Sequence, residues 1–388
     1  MHSDADFLLS IAGFLLLGLL TDLLGRKTFL PRVTLLLLFG VAMGESFLDL
    51  IPAIFSNRFE LISEIALLMI GFLLGGKLNR NFLLSSGIRS LVISLVAALL
   101  TFTIVFSGLW LTGLQIQMAI MLGAIAAATA PAATVDLILE SGYQGPFADL
   151  LLSIVALDDI WALIIFSLSM SLVQTINGGG ADFSLLMSLK EIGGAVLIGV
   201  IVGVPAAYLT GRIKSGQPVL TEALAVVFLS GGLALAFDAS FLIASMVTGA
   251  VVVNLARHHD RTFCEIENIE WPFMIVFFVL AGASLEIDAL SQVGWIGLSY
   301  ILLRIIGKLL GAWLGATFTS SHADVRHWMG MALLPQAGVA IGIALVASNA
   351  FPQYRQIILP VVISSTILFE IIGPVVARLA LQQAGKSR

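Results

Sequence analysis

Apolar runs of about 20 residues, each long enough to cross the hydrocarbon core of a bilayer, follow one another from end to end of this 388-residue chain. A run of that length cannot be hidden inside a small soluble domain thirteen times over. The runs fall at 7–23, 33–50, 61–76, 90–112, 116–139, 148–173, 191–210, 220–237, 240–255, 271–285, 291–318, 327–348 and 356–380. Composition agrees: 59% of residues are hydrophobic and 11% charged, against about 25% charged in an ordinary soluble domain. The connections are short, so no soluble domain is expected between the runs, and no nucleotide-binding module after Leu381. The chain reads as an all-α polytopic membrane protein.

Charge placement orients it. Loops on one side carry only Arg58, Lys190 and Arg355, while those on the other carry fourteen basic residues, among them Arg26, Lys27, Arg212, Lys214 and Arg326. Cytoplasmic loops concentrate Lys and Arg, so the N-terminus is expected outside and the C-terminus in the cytoplasm of a cell (inner) membrane. Asp4 and Asp6 precede the first run with no basic residue among them. That is unlike a cleaved signal peptide, so the first run is expected to be retained. A single cysteine, Cys264, excludes an internal disulfide and a cysteine metal cluster. His258 and His259 stand together in a charged loop and read as solvated. Neither nucleic acid nor a resident cofactor is expected as a partner.

Two runs differ from the rest. The fifth reads GAIAAATAPAATVDLIL around Thr129, Pro131 and Thr134, and the twelfth reads MALLPQAGVAIGIALVA with Pro335, Gln336 and Gly338. Proline removes a backbone donor and clashes with the preceding turn, so both helices are expected to break. One such break is commonly a packing kink. A matched pair in the two halves of a chain points to inverted repeats with a binding site at the midplane.

The charges inside the runs narrow the chemistry. Asp158 and Asp159 lie mid-way along the sixth run, where each ionised acid costs about 2.5–3.5 kcal/mol or more. Neighbours on a helix point about 100° apart, so the two carboxylates need not share a role. In the eleventh run Arg304 and Lys308 are four residues apart and share a face. Lysine changes protonation readily when buried and arginine does not, which suits Lys308 to a switchable partner of the acids. Arg304 suits a fixed one, and Glu370 in the thirteenth run is its expected mate in a structural ion pair. Asp22, Asp49, Glu222 and Asp238 sit near run ends and read as solvated or capping groups. Asp136 lies one turn past the fifth-run break, where a role in guiding cations competes with a solvated one; for Glu45 and Glu64 nothing decides between pore and interface.

Carboxylates, the hydroxyls of Thr129 and Ser153, and carbonyls freed by a broken helix are hard oxygen ligands, suited to a small hard cation and to no soft metal. A carboxylate in a low-dielectric cavity takes up protons more readily. Proton and cation are therefore expected to compete at Asp158 and Asp159.

TAPAAT in a broken span, LDD in the next, a lysine five spans later and then LLPQAGVAIGIALV together resemble the monovalent cation:proton antiporter superfamily. The likeness is greatest to bacterial sodium/proton antiporters of the branch that includes the Kef-type proteins, whose Gln-Asp pair is absent here and whose nucleotide-binding tail is not expected. The resemblance implies a homodimer, with a core bundle of about 90–173 and 291–380 moving as an elevator against a dimerisation bundle of about 7–76 and 191–285. It implies that Asp159 binds cation and proton, that Asp158 pairs with Lys308, that Thr129 serves in the first crossing helix, and that exchange is electrogenic. Some relatives carry an acid just after that threonine; here it is Ala130, so the half-helix dipoles must be balanced by other groups. The cargo expected is Na+, with Li+ or K+ as further ions and a K+/H+ antiporter or Kef-like efflux protein as the alternative. An intramembrane aspartyl protease also needs two buried acids, but on separate helices that face each other across a scissile bond.

Overall fold

The computed structural model describes residues 3–27, 31–44, 47–52, 55, 58–130, 134, 137–138, 145–178, 181–210, 219–256, 259–284, 294–336 and 338–386. Among them the chain is helical throughout, with no strand. The helices are α1 (Ser3–Lys27), α2 (Arg32–Met43), α3 (Phe59–Gly76), α4 (Arg80–Leu111), α5 (Ile116–Ala126), α6 (Pro146–Gly178) and α7 (Ala181–Thr210). They continue as α8 (Val219–Ala236), α9 (Phe241–Leu255), α10 (His259–Ala283), α11 (Gly294–Phe318), α12 (Ala323–Ala332), α13 (Gly338–Ala350) and α14 (Arg355–Lys386). Eight are long and apolar enough to cross a membrane, and five shorter apolar helices lie at Arg32–Met43, Leu61–Gly76, Ile116–Ala126, Phe241–Leu255 and Gly338–Ala350. A bilayer core offers backbone groups no water, so a chain of this composition satisfies them within helices.

The residues divide into two compact units. The first comprises Met1–Ile62, Ile88–Ala162 and Ile275–Arg388, the second Ser63–Gly87 and Leu163–Met274. Between helices in lipid, association depends on close packing rather than on expulsion of water, and small residues provide it in both units. In the first unit Gly307, Gly311 and Gly315 form a stripe along α11; a Cβ on each would come within 2.7–2.8 Å of the Cα of Thr101, Ala97 and Ile93 of α4. The spacing of four on both helices makes this a continuous antiparallel seam. In the second unit α3 and α9 meet in the same way: a Cβ on Gly75 would lie 2.0 Å from Met246 O, and one on Gly249 would lie 2.1 Å from Phe72 O. There Ser245 donates to Leu68 O at 2.6 Å, and Phe72 stacks on Phe263 at 4.8 Å.

The fourth run begins earlier than its hydropathy indicates, at Arg80, and Gly87 interrupts it. Its φ of 71° and ψ of 165° interrupt helical geometry inside α4, so that Arg80–Ser86 precedes the membrane-length segment Gly87–Leu111. A residue with a side chain resists that backbone conformation.

Both expected breaks concern the first unit. The twelfth run is two helices: α12 ends at Ala332, Leu333–Gln336 are non-helical, and α13 starts at Gly338, so Pro335 and Gly338 lie at the break. In the fifth run α5 ends at Ala126, and 128–130 are non-helical. Pro131 and Asp136, in the same run, lie outside the described residues, as do Glu45, His258, Arg212 and Lys214. The two breaks meet, for the Ala130 amide donates to Pro335 O at 3.0 Å.

Candidate functional site

A helix that stops inside a membrane leaves its last carbonyls without partners, and its C-terminus carries a partial negative charge. Here α5 and α12 both stop in a buried place. Ala126, Ala127 and Ala128 are at most 1% exposed, and Leu333 is fully buried. Turns closed three residues apart, Ala127 N to Ala124 O and Ala128 N to Ile125 O, satisfy part of the α5 end. The remaining carbonyls face α11.

One face of α11 answers them. Tyr300, Arg304 and Lys308 recur every four residues, and all three are fully buried. The Arg304 guanidinium donates to Ala126 O at 3.2 Å and Ala128 O at 2.9 Å, and to Leu334 O at 2.8 Å. A single rigid fork thus binds the ends of both broken helices, and Phe369 supports it from beneath, 4.3 Å from ring centre to guanidinium carbon. One turn earlier, the Tyr300 hydroxyl accepts from Gln336 Nε2 at 3.4 Å. The Arg304 charge offsets the partial negative charge at the C-terminal ends of α5 and α12.

Lys308 adds the link to the acids. Its ammonium donates to Ala127 O at 2.7 Å, Thr129 Oγ1 at 2.8 Å and Asp158 Oδ2 at 2.6 Å. An ammonium has three donors, and each has its acceptor. The Thr129 hydroxyl in turn donates to Asp158 Oδ2 in a short bond. Asp158 and Asp159 are both fully buried on α6, and both act electrostatically on Lys308. One turn after Asp158 on α6, the Trp161 indole donates to Ser94 Oγ of α4 at 3.0 Å.

The structure therefore brings together Asp158, Thr129 and Lys308, with Asp159 on the adjoining face of α6. It does not bring in Ser153. That hydroxyl donates to Asp149 O of its own helix at 2.9 Å, because five and six residues along α6 turn it off the faces of both acids. Nor does it pair Arg304 with Glu370. The guanidinium is spent on carbonyls, while Glu370 accepts the Thr34 hydroxyl of α2 in a short bond. The expected breaks foretold freed carbonyls but not which ones: those of Ala126, Ala127, Ala128 and Leu334 are identical in kind to every other carbonyl of the chain. The glycine stripe that seats α11 did have a signal, its small-xxx-small spacing.

Comparison with known proteins shows the family. The family described as sodium/hydrogen exchanger, transmembrane, matches residues 11–382. The chain belongs to that family. It is an integral membrane antiporter and not an enzyme, and members of the family exchange a cation for a proton. Relatives lie at low identity along nearly the whole length. The Na(+)/H(+) antiporter of Enterococcus hirae is 25% identical over 89% of this chain and 91% of its own. The Na(+)/H(+)-K(+) antiporter GerN of Bacillus cereus is 24% identical over 94% and 95%. The ammonium/H(+) antiporter subunit AmhT of Alkalihalophilus pseudofirmus is 22% identical over 90% and 89%. In fold, the chain resembles the sodium proton antiporter MjNhaP1 of Methanocaldococcus jannaschii, with a TM-score of 0.70 at 20% identity over 98% of this chain and 97% of that one.

Proposed function

We propose that this chain is a secondary active antiporter exchanging protons for a monovalent cation, Na+ foremost, with Asp159 as the shared binding carboxylate and Asp158–Lys308 as a switchable charge pair. The observation that carries this reading is the buried Lys308 ammonium, bonded at once to Asp158, Thr129 and the broken end of α5.

That ammonium occupies the ligands a cation would use. Two unit charges about 4 Å apart repel by about 4 kcal/mol at an effective dielectric of 20, so a cation arriving at Asp159 favours release of Lys308 from Asp158 or loss of its proton. A proton arriving at Asp159 removes the cation's counter-charge. Cation and proton thus exclude each other at one site, and alternating access turns that exclusion into exchange. Where Lys308 gives up its proton as the cation binds, one cation displaces two protons, from Asp159 and from Lys308, and exchange is electrogenic. The bundle of about 90–173 and 291–380 moves against a dimerisation bundle of about 7–76 and 191–285, in a homodimer whose protomers each cross the inner membrane thirteen times with the N-terminus outside. Relatives of nearly equal distance are named for sodium, for potassium and for ammonium, so K+/H+ exchange, in the Kef-containing branch of the superfamily, is the second reading.

The test is transport in proteoliposomes under an imposed proton gradient, with Na+, Li+ and K+ added in turn. Na+ is expected to drive proton movement most strongly in wild type, and Asp159→Asn, folded by size-exclusion chromatography, is expected to abolish it. Undiminished proton movement in that variant would sink the role given to Asp159. Activity with K+ alone would favour the second reading.

A further inference from the structure

Helix α2 meets two kinds of neighbour within the first unit. Against the C-terminal end of α10 it packs backbone on backbone: a Cβ on Gly40 would lie 2.1 Å from Val279 O, and one on Gly282 would lie 2.2 Å from Leu37 O. Contacts that close interlock two helices. Against α14 the tie is polar. Thr34, in the first turn of α2, bonds the Glu370 carboxylate through both its hydroxyl and its backbone amide. Thr34 is 0% exposed and Glu370 4%. Helix α2 starts after Pro31 with no side-chain cap of its own, so Glu370 supplies the anion that a first turn accepts.

Helix α14, for its part, is seated on the broken span. A Cβ on Gly373 would lie 2.7 Å from Pro335 Cα, and Phe369 lies beneath Arg304. One turn before Glu370, on the same face, stands Thr366. It is fully buried, and its hydroxyl has no hydrogen-bond partner among the described residues. Its neighbours behave otherwise: Ser364 donates to Pro360 O and Ser365 to Val362 O of the same helix, the usual solution for a hydroxyl in an apolar helix. A buried hydroxyl left unmatched is costly, so any state that matches it gains by doing so.

We propose that Thr34 is a latch with two positions on α14: Glu370 in the present state, and Thr366 in the opposite access state, after α14 has moved about 6 Å, four residues, along its own axis. This rests on the moving-bundle reading above, in which α2 belongs to the scaffold and α14 to the transport bundle. In the shifted state the Thr34 hydroxyl bonds that of Thr366, and Glu370 leaves the α2 terminus. The Thr34 hydroxyl has a partner at each end of the stroke and none between them, which makes the path between them brief; the Glu370 carboxylate is matched only at the first end, which is therefore the more stable of the two.

The test uses the full chain with Cys264→Ser, reconstituted in liposomes, carrying either Thr34→Cys with Glu370→Cys or Thr34→Cys with Thr366→Cys. Under mild oxidation the first pair is expected to close and stop exchange until reduced. The second is expected to close only when a proton gradient and Na+ drive turnover. If the closed 34–370 link leaves exchange at its unlinked rate, the moving-bundle reading fails and the latch with it. If that link stops exchange but the 34–366 pair never closes, the bundle moves and the latch alone is overturned. Should a cysteine pair fail to fold, Thr366→Val decides. It is expected to slow turnover about fivefold, the worth of one net hydrogen bond, with the apparent KM for the cation unchanged, and Thr366→Ser is expected to restore the rate. Wild-type turnover in Thr366→Val overturns the latch.

Discussion

Lys308 shows how tightly a single buried residue is specified. Three donors meet three acceptors, and its removal leaves Asp158 buried without a counter-charge. Lys308→Gln is therefore expected to lower stability by about 3–5 kcal/mol, as for other buried pairs that lose one member. Adding Asp158→Asn removes both charges and is expected to return most of that loss. Thermal unfolding in detergent across the double-mutant cycle measures it, and strictly additive losses would argue against coupling. Arg304→Lys keeps the charge but loses the fork that reaches three carbonyls on two helices. The expected cost is about 1–3 kcal/mol, read as a lowered melting temperature. At this scale the presence of each cation was legible, because a charge in an apolar run is conspicuous. The partner of Lys308 was expected too, since the resemblance pairs it with Asp158, but that of Arg304 was not. Glu370 looked like the mate of Arg304 on grounds of charge alone, yet the guanidinium serves backbone carbonyls and Glu370 serves the start of α2.

Between helices, shape decides. The α4–α11 seam depends on glycines at 307, 311 and 315, and a side chain at 311 would collide with the Ala97 backbone, its Cβ 2.7 Å from Ala97 Cα. Gly311→Leu is expected to cost about 1–3 kcal/mol of overpacking and to displace Arg304 and Lys308, which ride on the same helix. Gly232→Ala, where a Cβ would meet nothing within 4 Å, is the control and is expected to stay within about 0.5 kcal/mol. Melting temperature and exchange rate of the two variants check the contrast; equal effects would sink the seam's importance. Most helices were legible as apolar runs, and the break in the twelfth was legible from Pro335. The interruption at Gly87 was not, since an isolated glycine in an apolar run is compatible with an unbroken helix.

For the molecule as a whole, the reading of Lys308 as a switch predicts a transport phenotype. In proteoliposomes, exchange by the wild type is expected to accelerate under an imposed membrane potential, each unit charge moved gaining about 2.3 kcal/mol per 100 mV. Lys308→Gln is expected to flatten that dependence; a retained slope would mean that Asp158 carries charge without its lysine. What the sequence determined by itself was the kind of molecule and the residues under strain. Run length against bilayer thickness, and the cost of a charge in hydrocarbon, are properties of a local stretch of chain, and they single out Asp158, Asp159, Arg304 and Lys308 with nothing else in view. What only the tertiary structure decided was who partners whom. Arg304 finds the Ala126 carbonyl across 178 residues, and Thr34 finds Glu370 across 336. A hydrogen bond is made or lost within a few tenths of an ångström, and such placement is set by how glycine seams and broken helix ends pack, not by any residue's own chemistry.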